Sequence, residues 1–176
     1  MVLSSSVMFI RMGVLVTVVA PPLLRAAWLP LAAMAAAGLL VSLWLYRRSR
    51  ETAKADLKLS NPVELWEALK FALYFTVVLV GSKAAATYLG TGGAYAAGAI
   101  AGTADVDAIT LSMARLARNG LAAKVAVTSI FLAAASNTVV KAVLSASLGG
   151  WTYGRRIASA FAIILAAGGA AVLWGR

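Results

Sequence analysis

Gly102-Thr-Ala-Asp-Val-Asp-Ala-Ile-Thr-Leu-Ser-Met-Ala-Arg115 puts two carboxylates, Asp105 and Asp107, into a chain that otherwise reads as membrane-spanning. The whole sequence has only six acidic residues. A carboxylate in hydrocarbon costs roughly 2.5–3.5 kcal/mol on insertion scales, so it persists where a bundle interior or a watery cavity receives it. Residues two apart on an α-helix point about 200° from each other. On a regular helix Asp107 shares a face with Thr103 and Thr110, and Asp105 with Ser112. The two aspartates can therefore serve one site only if the helix breaks near Gly102. In that case Thr103 or Asp105 caps the second half, where carboxylates favour the macrodipole.

Composition sets the surroundings of this stretch. The chain has 176 residues, 62% hydrophobic and 12% charged, against about 45–50% and about 25% for soluble domains. The excess lies in long uncharged runs such as Ala26–Tyr46 and Ile157–Gly175. About 20 apolar residues cross the hydrocarbon core, so the length accommodates about six helices. The net charge of +10 comes from basic residues gathered at segment ends. There they orient a membrane protein instead of forming a nucleic-acid surface. The absence of Cys and His removes thiol chemistry, zinc sites and the commonest general base, and no cofactor is implied. No signal peptide stands apart at the start. The expectation is a protein without enzymatic activity.

The fold class predicted is all-α: a polytopic transmembrane bundle forming one domain over residues 1–176. Spans are expected at about 2–20, 26–46, 71–89, 94–118, 121–148 and 157–174, the fourth of them broken. Pro30, near the start of the second span, is harmless there. Gly90-Thr-Gly-Gly93 and Asn119-Gly120 are turn signals, and residues 47–64 form a polar connector. Six alternating spans place this basic connector and the Arg115–Lys124 turn on one side. The positive-inside rule then makes that side and both termini cytoplasmic, at the inner membrane of a prokaryote. Arg25, Arg155 and Arg156 fall against the rule.

An internal repeat sharpens the organisation. An ungapped shift of 130 residues pairs Ser6 with Ser136, Arg11 with Lys141 and Arg25 with Arg155. It also pairs Ala36-Ala-Gly38 with Ala166-Ala-Gly168, and Leu43-Trp44 with Leu173-Trp174. On alternating spans this is a parallel repeat of segments one and two by segments five and six. The counterparts of segments three and four then belong upstream of residue 1, which makes the chain a piece of a larger unit.

Depth counting gives the aspartates neighbours. At 1.5 Å per residue from Arg115 and Lys124, Asp107 and Asp105 lie about 12 and 15 Å deep, and Ser136-Asn137 about 18–20 Å. Asp105, Asp107, Thr103, Thr110, Ser112, Ser136, Asn137 and Thr138 are the candidate ion-binding or relay residues. Arg11, Lys83 and Lys141 are candidate counter-charges. Lys141, about 25 Å up, is expected to snorkel to the far interface as the weaker neighbour. Two readings stand side by side. One is a transporter or channel subunit for a small inorganic ion, a cation favoured. The other is a non-transporting membrane subunit that binds or regulates a partner protein, its charges being structural. Six short spans favour a homo-oligomer, and the residues name no particular metal.

Three runs resemble a known family: Leu59-Ser-Asn-Pro-Val-Glu-Leu-Trp-Glu-Ala-Leu-Lys-Phe-Ala-Leu73, Ala104-Asp-Val-Asp-Ala-Ile-Thr-Leu-Ser-Met-Ala114 and Ser136-Asn-Thr-Val-Val-Lys-Ala142. Together they are similar to the membrane domain of unknown function 4010, often joined to an N-terminal MgtC/SapB-type region. The resemblance implies further apolar segments upstream, an MgtC/SapB-type partner region, and a link to magnesium or membrane-energy homeostasis. It implies no particular activity.

Overall fold

The computed structural model describes residues 1–49, 84, 88 and 90–174, and every regular element among them is an α-helix. Helix α1 spans Val2–Val19 and α2 spans Pro21–Ser49. Ala20 alone joins them, in an extended turn (φ −142°, ψ 73°). Pro21 opens α2 at the first helical position, where its missing N–H costs nothing. Because α2 begins that early, Pro30 sits inside the helix and not near its start, and it removes one rung of the hydrogen-bond ladder. Two short helices follow, α3 (Gly90–Ala101) and α4 (Val106–Arg118). A long helical stretch, Ala123–Trp174, is broken at Gly150 (φ 78°, ψ 166°), a conformation open to glycine. The break separates two apolar spans, α5 (Ala123–Ser147) and α6 (Tyr153–Trp174).

Four helices among the described residues, α1, α2, α5 and α6, are long and apolar enough to cross a membrane. Their outer faces are hydrophobic, with Leu3, Val7, Ile10 and Val14 exposed on α1 and Leu39, Leu40 and Leu43 on α2. A helix apolar on all sides belongs in protein or lipid. The core is built from Phe9, Met12, Met34, Ile130 and Ile164 with many alanines. Most of the expected third span at 71–89, most of the connector, and Lys83 lie outside the described residues.

Contacts fix the helix directions. Met1 meets Ser145, and Ser5 meets Lys141, so α1 runs antiparallel to α5. Met34 meets Gly168, and Gly38 meets Ile164, so α2 and α6 are antiparallel as well. On α3, Gly98 lies on the backbone of Ser129 and Gly102 on that of Ala133, so this helix runs parallel to α5. The short turn through Asn119-Gly120 makes α4 run back against α5. Helices α3 and α4 are thus a re-entrant hairpin that starts and finishes at one end of the bundle and turns halfway along α5.

This geometry corrects three expectations. Residues 94–118 are not a crossing with a kink, because the chain reverses at the break. Losing that crossing changes the parity of everything after it. The helix pairs α1–α2 and α5–α6 therefore stand in inverted orientation and not in parallel. For the same reason Met1 and Trp174 lie at opposite ends of the bundle. Arg47 now shares an end with Arg155 and Arg156, while Arg25, Arg115, Arg118 and Lys124 share the other.

Since the chain has no cysteine, single cysteines report the reversal directly. Cysteines at Gly92 and Asn119 are expected to react with an impermeant maleimide from the same membrane face, and a cysteine at Ser147 from the opposite face. Labelling of Gly92 and Asn119 from opposite faces would restore the crossing.

Candidate functional site

A hairpin that turns inside a bundle must satisfy the backbone groups its helices leave free. At the end of α3 the N–H groups of Thr103 and Ala104 bond back to the carbonyls of Ile100 and Ala101. Asp105 then turns extended (φ −152°, ψ 118°) as the N-cap of α4, its carboxylate accepting from the Asp107 N–H at 2.9 Å. The aspartate is the stronger acceptor of the two candidate caps. Thr103 instead donates to its own Ile100 carbonyl at 2.7 Å. From α5, the Asn137 side-chain amide donates to the Gly102 carbonyl at 3.3 Å. That bond holds the hairpin tip at the depth where counting had put the two polar clusters.

Close approach of α3 and α5 makes this bond reachable. A Cβ on Gly98 or Gly102 would collide with the backbone of Ser129 or Ala133. Small residues line the rest of the seam, with Ala94, Ala97, Ala101, Ala126 and Ala133 buried. This is the way membrane helices approach each other when no water is available to drive them together.

On the other side, α4 lies along α1. Asp107, in its first turn, forms an ion pair with Arg11. At its last turn Arg118 donates to the Val19 carbonyl at 3.2 Å, placing a cation at the α1 C-terminus, where the helix dipole favours it. Asp107 uses one oxygen for Arg11. Its other oxygen, Oδ1, is buried and accepts no hydrogen bond, and Asn137 Oδ1 is in the same condition.

A cavity of about 540 Å³ opens beside the tip, lined by Leu3, Ser4, Val7, Met8, Arg11, Ala104, Asp105, Val106, Asn137 and Lys141. Lys141 points into this cavity and does not snorkel away from it. Its ammonium donates to Ser5 Oγ at 3.4 Å and lies 3.5 Å from Met8 Sδ. The structure therefore unites Asp105, Asp107, Asn137, Arg11 and Lys141.

The expected hydroxyl shell does not assemble. Thr110 and Thr138 are buried and donate to the carbonyls four residues back, of Val106 and Ala134. Ser112 and Ser136 make no hydrogen bond with the aspartates. Ser4, Ser5 and Met8 of α1 join the site without having been foreseen. The run Ser4-Ser-Ser6 in an apolar helix was the available signal, since polar side chains in a span turn inward.

The family model described as a domain of unknown function, DUF4010, matches residues 1–149, and the chain belongs to that family. It is 32% identical over 106 residues to an uncharacterized protein of Aquifex aeolicus (strain VF5), a match covering 58% of this chain and 46% of the relative. The chain thus spans less than half the length of that relative. No solved structure matches.

Asn137→Ala is expected to destabilise the fold by about 1–2 kcal/mol through loss of the bond to the Gly102 carbonyl. Gly102→Val should cost a further increment, about 1–3 kcal/mol, from overpacking against Ala133. Thermal unfolding of the detergent-solubilised protein measures both, with Gly92→Val, at a glycine with open space around it, as the near-neutral control.

Proposed function

We propose that this protein is an ion-translocating membrane domain whose hairpin tip forms half of a pathway for a small inorganic cation. The observation that carries the reading is a pair of oxygens, Asp107 Oδ1 and Asn137 Oδ1, buried at the tip without a hydrogen-bond donor. An acceptor left bare in a low-dielectric setting costs about 1–3 kcal/mol, and a passing cation would repay it. Asp105 and main-chain oxygens at the break supply further acceptors, as in other sites built on discontinuous helices. Arg11 and Lys141 take the part of resident positive charges that neutralise the carboxylates between passages. A cation would displace the Arg11 guanidinium from Asp107 and release it again on leaving. A prokaryotic inner membrane is the setting proposed.

A second reading is favoured by the Arg11–Asp107 pair itself. Both charges neutralised and the tip tied down describe a non-transporting subunit as well, with the charges holding α1 against α4.

Flux separates the two. In proteoliposomes, Asp107→Asn and Asp105→Asn are expected to lower uptake of a monovalent or divalent cation at least about tenfold while the protein still assembles; a flux unchanged by both substitutions would end the transport reading. If the charges are structural, the same variants lose expression or assembly and Arg11→Gln fails with them.

A further inference from the structure

An oxygen site discriminates between cations by the charge around it as well as by its ligands. Divalent ions shed their hydration shells reluctantly, and proteins hold them with carboxylate-rich sets of oxygens. Around the hairpin tip two negative charges, Asp105 and Asp107, meet two positive ones, Arg11 and Lys141. Asp105 already accepts from the Asp107 N–H. The bare oxygens are one from a carboxylate, Asp107 Oδ1, and one from a neutral amide, Asn137 Oδ1. Among the described residues no group of three or more His, Cys, Asp or Glu comes together. The other acidic residues of the chain, Glu51, Asp56, Glu64 and Glu67, share residues 47–70 with six Lys and Arg, so that stretch adds no net negative charge.

The two cations of the tip are held differently. Arg11 is paired to the carboxylate that an incoming ion would take, and it must move aside. Lys141 stands one helical turn beyond Asn137 on the same face of α5. Both residues line the cavity that receives Asp105, and the charges of Asp107 and Arg11 reach Lys141. Its ammonium is held from the α1 side by Ser5 Oγ at 3.4 Å and Met8 Sδ at 3.5 Å. This anchoring keeps it off the bare oxygens but within electrostatic range of them. An ion bound there meets a fixed positive charge. Repulsion from that charge grows in proportion to the charge of the ion, and a divalent ion also has more hydration to lose.

We infer that the site takes a monovalent alkali-metal cation, and that Lys141 is the specificity-determining residue that turns divalent cations away. The inference rests on the transport reading and names its substrate class. With both resident cations present, a monovalent ion leaves the tip with a single excess positive charge and a divalent ion leaves it with twice that. Without the Lys141 ammonium, the divalent ion stands where the monovalent ion stood before.

The test compares uptake of Na⁺, K⁺, Mg²⁺ and Mn²⁺, at equal concentration, into proteoliposomes containing the full chain. Na⁺ or K⁺ is expected to exceed both divalent ions at least about tenfold in the wild type. Lys141→Met should cut that ratio about tenfold or more by admitting the divalent ions, and Lys141→Arg should keep the monovalent preference. A wild type that carries a divalent ion as well as Na⁺ and K⁺ would overturn the inference and leave the transport reading intact. So would an unchanged ratio in a Lys141→Met protein that still moves ions. If no cation moves at all, the transport reading falls and the inference falls with it. The wild-type ratio decides even where Lys141→Met fails to fold.

Discussion

The structure depends on a helix that stops halfway through a bundle and has its loose ends tied. In lipid an unpaired peptide group costs several kcal/mol, so a reversal at the depth of Asn137 is stable only with donors and acceptors built around it. Asp105 takes one N–H of α4, Asn137 takes one carbonyl of the turn, and the first residues of the turn bond back into α3. The glycines at 98 and 102 make this affordable in space, because only without a Cβ can α3 lie close enough to α5 for the Asn137 amide to reach. Charge pairing, tight packing and the reversal of the chain are consequences of one requirement.

The same requirement explains why the chemistry collects where it does. A helix break exposes oriented dipoles and needs polar side chains near it, so the inside of the hairpin turn is the natural place for carboxylates, amide and cations to converge. Asp105 is committed to capping and Asp107 to Arg11, which divides the labour between two residues that looked equivalent as a pair. The bare oxygens of Asp107 and Asn137 remain after these assignments. In the proposed reading it is these oxygens, more than the number of charges, that a cation would meet.

Much of the site was legible in the sequence. A pair of aspartates two residues apart could serve one site only with a break near Gly102, and a rise of 1.5 Å per residue brought Asn137 close to their level. The hydroxyls were misread, because a Thr or Ser within a helix can satisfy itself on the carbonyl three or four residues back, as Thr103, Thr110 and Thr138 do. Counting along one helix also placed Lys141 near the interface. It could not reveal that Ser5 and Met8 of α1 lie beside it.

What the sequence determined by itself was the solvent: long charge-free runs, basic residues at their ends, and no Cys or His define a helical membrane protein. It offered Gly102 as the place where a break would let both aspartates serve one site. Only the tertiary structure decided on which side of the break the chain continues. Hydropathy measures how well a segment tolerates lipid, and a re-entrant hairpin scores on that measure like a crossing helix. The direction is set by packing, by Gly98 on Ser129 and Gly102 on Ala133, and no local property of residues 90–118 encodes it. That one reversal set α5–α6 antiparallel to α1–α2 and put Met1 and Trp174 at opposite ends.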